Sequence, residues 1–397
     1  MWRPPTVRAA DPASHGQAVA WSELFYDLVF VVAVGSLAGR YLEHLTAAAA
    51  LQFAALFGAV WWGWASYTFL VDRYESDDAL HRLLMVMQMF GVAGMAAAFQ
   101  IDDPGLTGAA VPFAASYAVM RVSLVLMYMR VWWHVLPSRP LVGGYLRGFG
   151  LDTALWIASI FVGEPWRYWL WGAAMSISLA TPWLMRRAQV LSPLNVSHLP
   201  ERFGLFTILV LGESLFAIAT GLHEAHQTPA SIVAAAAALL VATGLWWIYF
   251  DNLEGSVVRR DPTRKHDWHP TAWIYAHMPL AMFLILSGGG LEHVIAAAGS
   301  DHPDHYTAVP AVATAGALAA MCVILIASTG GLDAGRRQRR AAIRLVGAAL
   351  ALALVPPAGD WSPQAYALAL GALMVTVVVA DLIEAALSPD AVPGLAQ

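Results

Sequence analysis

The stretch Ala230-Ser-Ile-Val-Ala-Ala-Ala-Ala-Ala-Leu-Leu-Val-Ala-Thr-Gly-Leu-Trp-Trp-Ile-Tyr-Phe250 decides the class of this protein. It carries no charge, and its apolar residues run on without the period-two alternation of a membrane β-barrel strand. A bilayer core about 30 Å thick takes roughly 20 mostly apolar residues per helical crossing, and this stretch is long enough to make one. Working outward, similar runs lie at about 21–39, 47–71, 81–100, 109–131, 147–163, 167–185, 203–221, 271–297, 308–328, 342–358 and 363–387. Twelve crossings would use well over half of the 397 residues and leave little for a domain outside the membrane. The composition agrees: 59% of residues are hydrophobic and only 12% charged, with a mean hydropathy of +0.59. Soluble domains carry about 25% charged residues, so this chain cannot coat a soluble surface. Cys322 is the only cysteine, which excludes a disulfide scaffold. A net charge of −5 with few basic clusters argues against nucleic acid as a partner.

Positive residues orient such a chain. With the N-terminus inside, nineteen of the 22 Lys and Arg fall in cytoplasmic segments. Only Arg40 and Arg167 fall in outer loops, and Arg121 lies within a span. The expectation is a multi-pass protein of the cytoplasmic membrane with both termini in the cytoplasm. The first twenty residues are polar and the first span holds Glu23 and Asp27, so a cleavable signal peptide is not expected.

Weak self-similarity runs through the chain. Glu23-Leu-Phe-Tyr matches Glu201-Arg-Phe-Gly, Asp72-Arg-Tyr-Glu75 matches Asp251-Asn-Leu-Glu254, His81 matches His277, and Val111-Pro112 matches Val309-Pro310. The shifts rise in order, from 178 to 198. The reading is an all-α polytopic membrane protein of about twelve transmembrane helices in two parallel six-helix pseudo-repeats. Residues 1–20 would form a cytoplasmic segment, 21–187 the first half, 188–202 an inner loop, 203–388 the second half and 389–397 a cytoplasmic tail.

Ionisable groups inside spans are the sharpest functional clue, because each costs roughly 2.5–3.5 kcal/mol at mid-span on insertion scales. Glu213, followed by Ser214, lies in the seventh span and Arg121 near the middle of the fourth, where they could neutralise one another. Tyr117, Arg121 and Tyr128 share one helical face. Two readings stand side by side: a polar pathway, or a structural ion pair that specifies packing. Glu23 and Glu201 sit in first turns, where the helix dipole favours acids, while Asp27 lies deeper. Asp72 and Asp251 end their helices, where an acid calls for a partner; Arg73, Arg82 and Arg202 are the candidates, unless the acids form a cation-attracting vestibule. With Glu75 and Glu254 these acids form a candidate inner-face charge network. Trp61, Trp62 and Trp64 crowd the second span, and Trp246 and Trp247 the eighth, either to pack helices or to line a cavity. Trp132, Trp133, Trp268 and Trp273 read as interfacial anchors. Ser287-Gly-Gly-Gly290 either breaks the ninth span at a binding site or lets helices pack closely.

His223-Glu-Ala-His226 and Asp301-His-Pro-Asp-His305 lack the His-Glu-x-x-His spacing of zinc hydrolases, so no metal is expected. No phosphate loop, nucleophile elbow or dinucleotide fingerprint is present. No catalytic residue or cofactor is therefore expected, and a non-enzymatic role is favoured while a membrane-embedded enzyme acting on lipid stays open.

Trp21-Ser-Glu-Leu-Phe-Tyr-Asp-Leu-Val-Phe-Val-Val-Ala-Val34 and His198-Leu-Pro-Glu-Arg-Phe-Gly-Leu-Phe-Thr-Ile-Leu-Val-Leu-Gly-Glu-Ser214 resemble blocks of the bacterial low temperature requirement A family. Trp246-Trp-Ile-Tyr-Phe-Asp251 and Tyr275-Ala-His-Met-Pro279 extend that resemblance over nearly the whole chain. It implies a multi-pass bacterial membrane protein associated with growth in the cold, with Glu23, Asp27, Glu201, Glu213 and Ser214 at motif positions. Phe25-Tyr-Asp27 is also similar to the Phe-Ser-Asp opening of lysosomal-type potassium channels, with Tyr26 replacing the serine and Gly204-Leu205 standing where the second Ser-Asp would be. The expected function is a channel or secondary transporter for a small ion or solute, with the lipid bilayer as surroundings. The alternatives are a lipid-interacting or lipid-modifying protein and a structural partner of a membrane complex.

Overall fold

A computed structural model describes residues 3–8, 21–101, 106–192, 194, 198–253, 268–298, 308–328 and 333–387. Among them the chain is helical apart from two short strands, β1 (Thr6–Val7) and β2 (Tyr74–Glu75). The helices are α1 (Trp21–Glu43), α2 (Ala47–Arg73), α3 (Ala79–Phe99), α4 (Thr107–His134), α5 (Arg139–Ile160), α6 (Trp166–Leu184), α7 (His198–Glu224), α8 (Pro229–Leu253), α9 (His269–Ala297), α10 (Ala308–Ala327), α11 (Ala334–Ala353) and α12 (Pro363–Leu387). Nine of these are long and apolar enough to cross a membrane; α5, α6 and α11 fall outside that group. The chain is a polytopic helical membrane protein.

Local chemistry starts several helices. Thr46 caps α2 by accepting the Ala49 N–H at 3.1 Å, and Asp78 caps α3 through His81 at 3.0 Å. Asp333 caps α11 through Arg336 at 2.9 Å, each satisfying an N–H that the helix leaves free. Three helices begin well before their expected spans: α5 at Arg139 rather than about 147, α7 at His198 rather than about 203, so that the end of the expected inner loop 188–202 is helical, and α11 at Ala334 rather than about 342. Hydropathy stops at an arginine, whereas the backbone ladder does not. In α11 the Arg336, Arg339 and Arg340 side chains meet Glu384, so the helix continues through them.

The chain divides into two compact units, Met1–Phe206 and Thr207–Gln397, the division falling within α7. In the first unit α3 packs on α1 and α4, and α5 on α4 and α6. In the second, α10 packs on α9 and α11, and α12 on α8 and α11. Large apolar side chains such as Phe90, Phe161, Trp169 and Phe216 point outward, as expected where the solvent is lipid.

Small residues set the close helix crossings. A Cβ at Gly91 would lie 2.7 Å from the Ser116 carbonyl oxygen on α4, which is backbone and cannot step aside. Gly91→Leu is therefore expected to overpack the α3–α4 seam and lower stability by at least about 1–3 kcal/mol, read as an earlier unfolding transition of the detergent-purified protein. The Ser287–Gly290 segment is the same device: α9 runs unbroken from His269 to Ala297. A Cβ on Gly288 would come within 2.7 Å of the Ser214 backbone, and one on Gly290 within 3.0 Å of Pro310. The discontinuous-helix alternative is overturned, because α9 needs these glycines to approach α7 and α10.

Candidate functional site

The charged groups of the first unit collect in three clusters. In the first, Arg202 on α7 donates to Glu23 Oε2 at 2.6 Å and to Asp27 Oδ1 at 2.7 Å, with Thr68 at 3.5 Å. Glu23 and Asp27 are four residues apart on α1, so one helical turn places them on the same face. Trp64 on α2 donates its indole N–H to the same Asp27 oxygen at 2.7 Å. His198 then lies 3.2 Å from Asp72 and 3.6 Å from Glu23, while Arg8 approaches Glu23 at 3.9 Å. Asp27 and Arg202 are fully buried.

The second cluster lies deeper in the helical run of α4. Arg121 pairs with Asp152 on α5 at 2.5 Å and donates to Ser178 at 2.8 Å and Ser66 at 3.3 Å. Its guanidinium lies 4.6 Å from the centre of the Phe149 ring, within cation–π range. Trp156 donates to Asp152 at 3.1 Å and Trp62 to Ser178 at 2.9 Å. Tyr117 packs at a tilt against Trp156 and donates to the Ala59 carbonyl at 3.1 Å. Arg121 and Asp152 are both fully buried.

The third cluster fastens the N-terminal strand. β1 pairs antiparallel with β2, Thr6 opposite Glu75 and Val7 opposite Tyr74. Arg130 holds both Asp78 oxygens, at 2.8 and 2.7 Å, and also donates to the Arg3 carbonyl. The Arg3 N–H donates to Asp78 at 3.0 Å. Pro5 covers a cavity of about 10 Å³ lined by Leu70, His81 and Met127 among others, room for about one water. Burial alone would raise the Asp78 pKa, but hydrogen bonds from Arg130 and from the His81 and Arg3 backbone outweigh it and hold the carboxyl at about 2. This depressed value means that the stabilisation from Asp78 is complete above the unfolded pKa of about 3.9 and is lost as the pH falls through about 2. Asp78→Asn should mimic the acid state at neutral pH. Losing a charged hydrogen bond costs about 1.5–3 kcal/mol, so the Arg8 amide, which donates to the Arg73 carbonyl at 2.9 Å, should exchange hydrogen about tenfold faster or more.

Several sequence expectations change here. Arg121 takes Asp152, not Glu213, as its anion, because α4 and α5 are packed neighbours. Asp152 was missed, although it is the one acid in the fifth span. Glu23 does more than favour a helix dipole: it is an ion-pair partner of Arg202. Asp72 meets His198 at 3.2 Å and Asp251 meets Arg340 at 2.7 Å, neither partner being among the arginines expected. Arg82 instead meets Asp77, and Arg73 donates to the Ser192 and Phe69 carbonyls. Helix ends from distant parts of the chain supply these partners.

Glu75 and Glu201 are exposed, and Glu254 and Asp301–His305 lie outside the described residues. Glu213 is half-buried, and Ser214 Oγ lies 3.4 Å from the Leu284 carbonyl. Trp61, Trp62 and Trp64 are buried in helix packing, with Trp64 against Phe203 and Phe206. Trp273, expected at an interface, is fully buried, its ring tilted against His277. In the second unit, Arg339 and Arg340 converge on Glu384, and Arg344 lies 3.5 Å from Asp381. Among the described residues no group of three His, Cys, Asp or Glu side chains could hold a metal ion.

An uncharacterized protein of Rhizobium meliloti (strain 1021) is 25% identical over 300 residues, covering 70% of this chain and 69% of its own. The profile of the bacterial low temperature requirement A protein (LtrA) matches residues 18–380. With that match over nearly its whole length, through both the Glu23–Asp27 and the Arg202 segments of the buried cluster, the chain belongs to the LtrA family.

Proposed function

We propose that this protein is a channel or secondary transporter for a small ion or solute, serving growth at low temperature. One observation carries the reading: four charged groups on helices, Asp27, Arg202, Arg121 and Asp152, are fully buried within one unit. Charges at membrane depth are costly to place and mark ion or substrate paths by default. In this reading all twelve helices cross the cytoplasmic membrane, including α5, α6 and α11, and both ends lie in the cytoplasm with the Arg-rich segments. Two parallel six-helix repeats fit it. In support, Tyr67 on α2 meets His81 on α3 at 3.4 Å, and Tyr249 on α8 meets His277 on α9 at 3.0 Å.

The test is flux through purified protein in liposomes, with monovalent cations, protons and small solutes offered in turn. Asp152→Asn and Asp27→Asn should each abolish flux in protein that remains folded and fail to restore cold growth to a deletion strain. Wild-type liposomes that move nothing would sink the proposal.

A second reading, a lipid-interacting protein, is favoured by α11. Arg336, Arg339 and Arg340 occupy its first half, while Leu345, Val346 and Leu350 are exposed beyond them. Such a helix suits an anionic membrane surface. Altered lipid composition in a deletion strain, without any flux defect, would select it.

A further inference from the structure

We infer that Asp27 is a proton-binding site, the coupling point at which the transport reading above meets a proton. The inference rests on that reading and on the unequal environments of the two Asp27 oxygens. Oδ1 accepts from both Arg202 and Trp64. Oδ2 is buried and has no hydrogen-bond partner among the described residues. One guanidinium, that of Arg202, stands at hydrogen-bond distance from both Glu23 and Asp27.

An ionised carboxylate oxygen without donors is expensive at full burial, and so is a surplus negative charge. Taking up H⁺ removes both costs at once. A proton arriving from water forms an O–H bond at Oδ2, and no electron changes hands. Arg202 remains with Glu23. Loss of the proton restores an anion that must share Arg202 again. Glu23 lies one turn nearer the start of α1, about 6 Å along the axis. Its side chain keeps 9% exposure where that of Asp27 has none, so Glu23 is the way in for the proton. The titratable groups around Asp27 are Glu23 and Tyr26 on α1, Tyr67 on α2 and Arg202 on α7. Glu23 in turn faces His198 and Arg8.

The experiment is infrared difference spectroscopy of the detergent-purified full chain on a pH jump, with no transported solute present. The expected result is a deuterium-sensitive neutral-carboxyl band that comes and goes reversibly and is missing in Asp27→Asn. Glu23→Gln should keep the band but lower the proton affinity about tenfold or more, since Arg202 then serves one carboxylate. Trp64→Phe should raise the affinity, because the anion loses a donor, and it guards against a misfolded Asp27→Asn protein. No band shared by wild type and Trp64→Phe, or an unmoved midpoint in both Glu23→Gln and Trp64→Phe, overturns the site. A titrating Asp27 in a protein that moves no ion or solute keeps the site and removes the transport reading. Flux with an Asp27 that never titrates does the reverse.

Discussion

Arg202→Met is expected to be among the most damaging single substitutions in the first unit, lowering stability by about 3–5 kcal/mol. The guanidinium is fully buried and bridges Glu23 and Asp27, at 2.6 and 2.7 Å. Its loss leaves two carboxylates one helical turn apart with no shared counter-ion, and Asp27 keeps only the Trp64 N–H. Arg202→Lys should fall between, because a single ammonium reproduces the charge but not the planar fork that spans two acids. Most of the cost comes from stranding the acids rather than from losing attraction. Removing the acids as well, in Glu23→Gln/Asp27→Asn/Arg202→Met, should therefore recover most of the loss. Thermal unfolding of detergent-purified protein reads the series. Wild-type stability in the single variant would show that water already reaches and solvates these groups.

Arg121→Met should cost a similar amount, about 3–5 kcal/mol, by stranding Asp152 with the Trp156 N–H alone. Asp152→Asn strands the cation instead, although Ser66, Ser178 and the Phe149 ring still face it. Its effect should be the smaller of the two. The double variant Arg121→Met/Asp152→Asn should be less damaging than the sum of the singles by up to about 3 kcal/mol, the usual range for groups in one network. Strict additivity would mean that the 2.5 Å contact contributes no coupling. The two clusters also separate the roles of buried charge. Asp152 is matched one-to-one by Arg121, which fixes its charge, whereas Asp27 shares Arg202 with Glu23 and is the one placed to take up a proton.

Reading these clusters from the sequence succeeded where a residue's unusual setting is itself visible. Arg121 and Asp27 stood out because each interrupts an apolar run, and the lysine- and arginine-poor spans made them conspicuous. Their partners were harder to see. Asp152 follows Arg147 at a span edge, and Arg202 falls just before the seventh run, so both looked like boundary residues. A hydropathy window marks where apolar residues stop, while α5 and α11 continue through arginines that meet acids on other helices. The triple glycine of α9 posed the opposite difficulty. Its residue types allow either a break or a close crossing, and only the approach of Ser214 and Pro310 distinguishes the two.

The amino-acid sequence by itself determined that this is a helical membrane protein, about where its helices run, and that Asp27 and Arg121 lie inside them and call for partners. Those properties follow from the composition of single segments against the bilayer, where each stretch is judged by its own transfer energy. Only the tertiary structure decided which charges neutralise which. The ion pairs of Arg202 and Arg121 join different helices, α7 with α1 and α4 with α5. An ion pair depends on separations of a few ångströms, set by how whole helices cross, and no single segment contains that information.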